Sequence, residues 1–375
     1  MARTVYMHVG VAKTGTTYLQ RILYSHRDEL RSAGLLYPGK RPGDQYVASI
    51  DLREQEQSKF SHLKAGGSWD RLAAEVRDFR GDAVVSHETF ARCTTPQIHR
   101  VIESFGDAQL RVVLTVRDLA RQIPAVWQET LKNKATTGYD DFLREIFVNV
   151  DSGEHKFFWK PQDVRKVVRR WGRLVGMDHL TVVTVPPSGA PRDELWDRFS
   201  KAIEVPDVRI TLPEATANTS LGAAEAELLR YVNAALPGDF SWPRYSRAVK
   251  RQFAEQQLAS RTTHRIVVPP PWHGAVKERS EAIVSYLGRS GCAVVGDLGD
   301  LEPALVQAPV SGPDDLSREQ LMGVAGEVLR DYVLQSHRTR RRGRPVDVLD
   351  ETPAGLRARV RDLGRRVKGC LSRAG

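Results

Sequence analysis

Apolar runs and helical patterns alternate through the first half of the chain. Thr4 to Val9 (TVYMHV) is a short β-rich run that ends at Gly10. After a loop, helical spacing from about Thr16 to Ala33 sets Tyr18, Leu19, Ile22, Leu23 and Leu30 on one side, and Gly34 is a natural stop. Residues 35–67 are rich in Gly, Gln and Ser and predict an irregular excursion. Further along, the pattern predicts helices at Trp69–Phe79, Pro96–Phe105, Leu119–Lys132, Tyr139–Val148 and Pro161–Leu174. Between them lie apolar, β-branched runs: Asp82–His87, Gln109–Val116 and Leu180–Val185. Strands alternating with helices predict an α/β fold, a parallel sheet flanked by helices, with ligands bound beyond the carboxyl ends of the strands.

From Thr219 the pattern is mostly helical: Leu221–Leu236 with Ser220 as N-cap, Arg244–Ser260 and Val276–Leu287. This divides the chain into an α/β domain with a helical second half (1–305), a linker and helix (306–336) and a basic tail (337–375). The tail can form an amphipathic helix, since Leu356, Val360, Leu363, Val367 and Leu371 recur at helical spacing among arginines.

The junction of the first strand and first helix carries the most chemistry. Gly10 and Gly15 lie five apart, the spacing of a phosphate-binding loop, in which backbone N–H groups and a helix N-terminus surround an anion. Thr16 and Thr17 add hydroxyls. A nucleoside-triphosphate loop would place Lys directly after the second glycine. Here that residue is Thr16, and the lysine stands inside the loop at Lys13.

The segment Lys13-Thr-Gly-Thr-Thr17 resembles the 5′-phosphosulfate loop of PAPS-dependent sulfotransferases (PAPS is 3′-phosphoadenosine-5′-phosphosulfate). The run Leu110 to Asp118 (LRVVLTVRD) resembles the second signature of that family, a buried strand ending in Arg. The resemblance implies a P-loop-like sheet, PAPS as cofactor with 3′,5′-ADP as product, and no metal. It assigns the 5′-phosphate to Lys13, Thr14, Gly15, Thr16 and Thr17, and the 3′-phosphate to Arg117. Two features depart from the pattern: Ala125 stands where many members have serine, with Gln128 as a candidate substitute, and the C-terminal R-K-G clamp is missing.

Sulfuryl transfer also needs a base opposite the lysine. Glu88 is the first candidate and His87 the second, both at the end of the Asp82–His87 run, and one of the pair is expected to cap the next segment. His8 reads as a core histidine. Gln20 is equally suited to the site or to solvent, and Trp272 in the Pro269–His273 loop could stack on an acceptor sugar. Two other readings remain open, a P-loop kinase and a non-catalytic nucleotide- or glycan-binding protein.

Composition narrows the setting. Apolar residues make up 41% and charged residues 27%, as in an ordinary globular protein. Cys93, Cys292 and Cys370 are far apart and odd in number, which suits free thiols in a reducing compartment. No secretory leader and no transmembrane run is read, so a cytoplasmic location is expected. The net charge is +10, but His337 to Gly375 holds 12 Lys/Arg against 4 Asp/Glu, which leaves the body nearly neutral. That distribution argues against a nucleic-acid partner. The resemblance implies a carbohydrate, glycolipid or small-molecule acceptor, and the basic tail suits peripheral contact with the inner membrane surface.

Overall fold

The computed structural model describes residues 2–54, 65–152, 154–156, 158–213, 220–261, 264–306 and 312–341. Two compact units divide it, Met1–Leu321 and Met322–Gly375. The first is built on six strands: β1 Thr4–His8, β2 Leu35–Leu36, β3 Asp82–Ser86, β4 Gln109–Val116, β5 Leu180–Thr184 and β6 Ala293–Val295. They form one sheet in the order β2-β3-β1-β4-β5-β6, and every pairing is parallel. The expected α/β class is therefore present.

The helices of the first half are α1 Thr16–Ser25, α2 Arg27–Ser32, α3 Asp44–Leu52, α4 Ser68–Asp78, α5 Thr95–Phe105, α6 Leu119–Leu131 and α7 Tyr139–Phe147. There follow α8 Trp159–Gln162, α9 Val164–Val175, α10 Glu194–Ala202, α11 Ala223–Ala235, α12 Trp242–Tyr245, α13 His273–Arg289 and α14 Arg318–Arg341. Between α12 and α13, Ser246–Leu258 winds as a π-helix. The second unit is described only as the continuation of α14, which begins in the first.

Strand alternation sends side chains to both faces of the sheet. Tyr6, Val84, Val113 and Val183 enter one fully buried cluster with Leu19, Ile22 and Leu23 of α1 and Trp196 and Phe199 of α10. Val112, Leu114 and Val182 take the opposite parity and are equally buried, on strands that α9 packs against. Central strands buried on both faces explain why β1, β3 and β4 read as continuous apolar runs.

Several expectations are corrected. The single helix over Thr16–Ala33 is two, α1 and α2, broken at His26. The excursion over 35–67 contains β2 and α3. Ser220 does not cap the next helix, which starts at Ala223 with Gly222 in the N-cap position. The regular helix expected over Arg244–Ser260 is α12 followed by the π-helix. The stretch expected to form the tail helix lies outside the described residues.

Candidate functional site at the carboxyl ends of β1, β3 and β4

The loop after β1 stays attached to the sheet. Val9 and Val11 donate their N–H groups to Val113 and Thr115 at 2.9 Å each, so its first residues run on beside β4. The chain then turns through left-handed backbone at Gly10 (φ 81°), Lys13 (φ 69°) and Gly15 (φ 84°). Left-handed backbone at a non-glycine residue costs roughly 1–2 kcal/mol, so the fold holds Lys13 where it is against a local preference. Gly15 is the N-cap of α1, which has no side-chain cap and no acidic residue in its first turn. Among the described residues, no protein acceptor faces the backbone N–H groups from Ala12 to Thr17. A helix N-terminus with bare amides attracts an anion.

A buried chain of hydrogen bonds supports this loop. Thr14 Oγ1 donates to the Val11 carbonyl at 2.5 Å, and Thr115 Oγ1 lies 2.6 Å from it. His8 Nε2 is 3.0 Å from Thr115 Oγ1, and His8 Nδ1 is 2.7 Å from Ser86 Oγ. A carbonyl can only accept, so Thr14 donates there, Thr115 donates to Thr14, and the His8 proton sits on Nε2. Ser86 then donates to Nδ1. Gln20 and Gln45 complete the chain, to the Ser86 carbonyl (3.1 Å) and from its N–H (2.6 Å). Burial, with a smaller push from His87, lowers the His8 imidazole to about 3 and keeps it neutral. His8 is therefore the core histidine expected, and Gln20 faces inward. The Thr14 hydroxyl is spent on the scaffold, which leaves that residue only its N–H to offer a ligand.

Arg117 follows β4 and overlooks the loop. Its guanidinium donates to the Lys13 carbonyl at 3.3 Å, and its buried Nε has no partner. No carboxylate pairs with it among the described residues, because Asp118 is engaged by Arg121 and caps α6. Burial, with Arg121 and Arg265 assisting and Asp118 opposing, pushes Arg117 down to about 10. Three guanidinium groups to one carboxylate leave positive charge that suits a phosphate. Arg265 escaped the sequence reading; it sits on the stretch that pairs with Gly222, and no local pattern marks it.

Gln122 was missed as well. It stands on α6, hydrogen-bonds the Ala12 carbonyl through Nε2, reaches Gln162 at 2.9 Å, and leaves its own buried Oε1 unpartnered. Gln128, the expected substitute for a serine at Ala125, is engaged elsewhere. Its Oε1 accepts the Leu221 N–H at 2.8 Å and ties α6 to the helical second half.

Glu88 stands on the opposite side of the loop. A Cβ on Gly10 would come within 2.6 Å of the Glu88 Cα and Cβ, so only glycine permits this approach. The Glu88 Oε2 is buried and has no hydrogen-bond partner, with His87 Nδ1 3.9 Å away. Tyr37 and Tyr46 lie close enough that Glu88, after burial, raises both phenols. His87 sits in the cap position: its Nδ1 lies 2.8 Å from Thr89 Oγ1 and 3.2 Å from the Thr89 N, and the ring stacks on Tyr46 at 5.0 Å. Burial lowers its imidazole, with Glu88 opposing and Arg53 assisting.

Lys13 reaches across to α6. Its Nζ is 2.5 Å from Glu129 Oε2, while Lys250 from the π-helix is 2.7 Å from Glu129 Oε1. Trp272 is engaged elsewhere: its indole donates to Asp140 at 3.1 Å and stacks on Phe147. A cavity of about 530 Å³ lined by Arg3, Gly81 and Asp82 lies at the amino ends of the strands, the wrong end of the sheet for this chemistry. Among the described residues no group of three or more His, Cys, Asp or Glu is arranged to hold a metal ion. No helix there is long and apolar enough to cross a membrane.

The site thus joins a bare amide loop, a guanidinium cluster and a carboxylate at the carboxyl ends of three adjacent strands of an all-parallel α/β sheet. Among solved structures the chain is similar to a sulfotransferase from Alicyclobacillus acidocaldarius, with 17% identity and a TM-score of 0.40, over 63% of this chain and 94% of that one. No protein-family model and no curated protein matches the sequence.

Proposed function

We propose that the chain is a sulfotransferase that moves a sulfuryl group from PAPS to a hydroxyl of a carbohydrate, glycolipid or small metabolite. One observation carries the reading. The loop amides lack a protein acceptor, and they are bounded by a guanidinium without a carboxylate and by a carboxylate oxygen without a donor.

The residues fit the nucleotide by charge and by hydrogen-bonding capacity. The N–H groups from Lys13 to Thr17 suit the 5′-phosphate, and Arg117, with Arg265 beside it, suits the 3′-phosphate. Bound PAPS supplies a sulfuryl group already joined to a phosphate leaving group. Glu88 accepts the proton of the acceptor hydroxyl at Oε2 as the new S–O bond forms. Lys13 and the loop amides would meet the charge that the breaking S–O bond leaves, with its electron pair, on the phosphate oxygen. His87 is the second candidate base: its Nδ1 is engaged by Thr89, which leaves Nε2 to face a substrate.

The test is incubation of the full chain with radiolabelled PAPS and a lipid and polysaccharide extract. Label should move to an acceptor, and Lys13→Ala should abolish the transfer while the protein stays folded. Undiminished transfer by that variant would sink the mechanism. Binding of 3′,5′-ADP with no transfer to a broad acceptor panel would favour a nucleotide-binding protein instead.

A further inference from the structure

The reaction just described gives Glu129 no role, although it is bonded to the lysine of the loop. It stands on α6 with one ammonium on each carboxylate oxygen: Lys13 on Oε2 at 2.5 Å and Lys250 on Oε1 at 2.7 Å. The two lysines come from opposite halves of the chain. Asn133 braces the arrangement, donating to Glu129 Oε1 at 3.3 Å and accepting from Lys250 at 3.0 Å.

We propose that Glu129 is a positioning residue for Lys13, giving up that ammonium to a phosphate oxygen of the nucleotide while Lys250 keeps the carboxylate neutralised. The inference rests on the sulfotransferase reading for the identity of the phosphate.

Three observations support the exchange. The first is valence. A carboxylate shared by two ammonium groups can release one and remain paired, whereas a carboxylate with a single partner would be left as a half-buried lone charge. The second is surplus charge. Lys132 is buried near the same carboxylate, pushed down to about 8 by burial and by the other two lysines, with Glu129 and Glu255 opposing. Three ammonium groups set against Glu129 and Glu255 leave net positive charge for an incoming anion. The third is protonation. Burial alone would raise the Glu129 carboxyl, but Lys13 and Lys250 hold it down at about 2. The exchange therefore trades ion-pair partners and moves no proton.

The left-handed backbone at Lys13 (φ 69°) fixes where its side chain leaves the loop. Its ammonium is held by Glu129, and an anion drawn to the bare loop amides would compete for it. Glu129 thus competes with the nucleotide for Lys13, and Lys250 weakens that competition.

The experiment is calorimetric titration of 3′,5′-ADP into the full chain and a set of variants, each checked for folding by its thermal melt. Glu129→Gln should tighten binding about three- to tenfold, the scale of one partly exposed ion pair. Lys250→Met should weaken it by a similar factor, because Glu129 then holds Lys13 alone. The decisive results are the combinations. Lys250→Met should have almost no effect in the Glu129→Gln background, and Glu129→Gln should have almost none in the Lys13→Ala background. Additive effects, or a Glu129→Gln gain that persists without Lys13, would reveal a diffuse field and overturn the proposal. Should Glu129→Gln fail to fold, Glu129→Asp, which draws the carboxylate back by one methylene, should also tighten binding; weakened or unchanged binding overturns the proposal equally. A wild-type chain that does not bind 3′,5′-ADP overturns the functional reading and this inference with it. A chain that binds but lacks the coupling pattern overturns the inference alone.

Discussion

Polar groups beneath the phosphate loop and around its rim are treated in opposite ways. Beneath it, Ser86, His8, Thr115 and Thr14 are fully buried, and each hydroxyl or ring nitrogen has a partner. Around the rim, Glu88 Oε2, Arg117 Nε and Gln122 Oε1 are buried with none. A buried polar group without a hydrogen bond costs about 1–3 kcal/mol, so a folded protein rarely leaves several together without use. The difference separates scaffold from site. A saturated network fixes the loop's shape. Unsatisfied atoms occur elsewhere too, Tyr139 Oη and Trp171 Nε1 among them, but at the rim three stand beside bare amides, which suits a ligand's polar atoms.

The largest expected effect breaks the rim. Glu88→Gln keeps size and removes the base, so kcat should fall by about 10²–10⁴-fold while 3′,5′-ADP affinity stays within about twofold. His87→Gln provides the contrast. It loses a cap, which costs about 1 kcal/mol of stability, and should leave kcat within a few-fold of wild type. The reverse pattern, a dead His87 variant and an active Glu88 variant, would exchange the two roles.

The next effect strikes the joint between the two regions. Gly10 has φ 81°, and a Cβ there would meet the Glu88 Cα and Cβ at 2.6 Å. Gly10→Ala adds left-handed strain to a backbone clash, so a loss of about 2–4 kcal/mol is expected in urea unfolding, with activity falling as Glu88 is displaced. A variant of normal stability and normal activity would show that this contact matters to neither region.

How far the fold could be read beforehand follows the same division. β4 was legible to the residue, Gln109–Val116, because a strand buried on both faces writes a continuous apolar run. β2 and β6 were not, because runs of two and three residues are too short to show any period. α3 was hidden because its buried face includes Gln45 and Ser49, which read as loop residues yet hydrogen-bond at the site's edge. Lys13, Arg117, His87 and Glu88 could be picked out because loop and strand ends mark them locally. Gln122, Glu129, Lys250 and Arg265 could not. Gln122 and Glu129 are ordinary helix positions, and Lys250 meets Glu129 only because the second half of the chain folds back on α6. The sequence motif thus locates the loop, and tertiary packing supplies its charge partners.

The smallest expected effect tests the scaffold by titration. His8 stays neutral in the folded protein down to about pH 3, whereas in the unfolded chain it takes up a proton near the ordinary histidine value of 6.5. The unfolded state therefore binds more protons between those values, and stability falls as pH drops from 6.5 toward 3. Between pH 7.5 and 5 this single group should remove about 2 kcal/mol. His8→Asn should be less stable at pH 7.5, because Ser86 and Thr115 lose their ring partner. Its stability should also fall less steeply toward pH 5, by about the same 2 kcal/mol, with the remaining slope carried by other groups such as His87. The measurement is urea unfolding of both proteins across that range. Equal slopes would mean that His8 is solvated or protonated in the folded state, and the saturated network beneath the loop would lose the residue that joins its two ends.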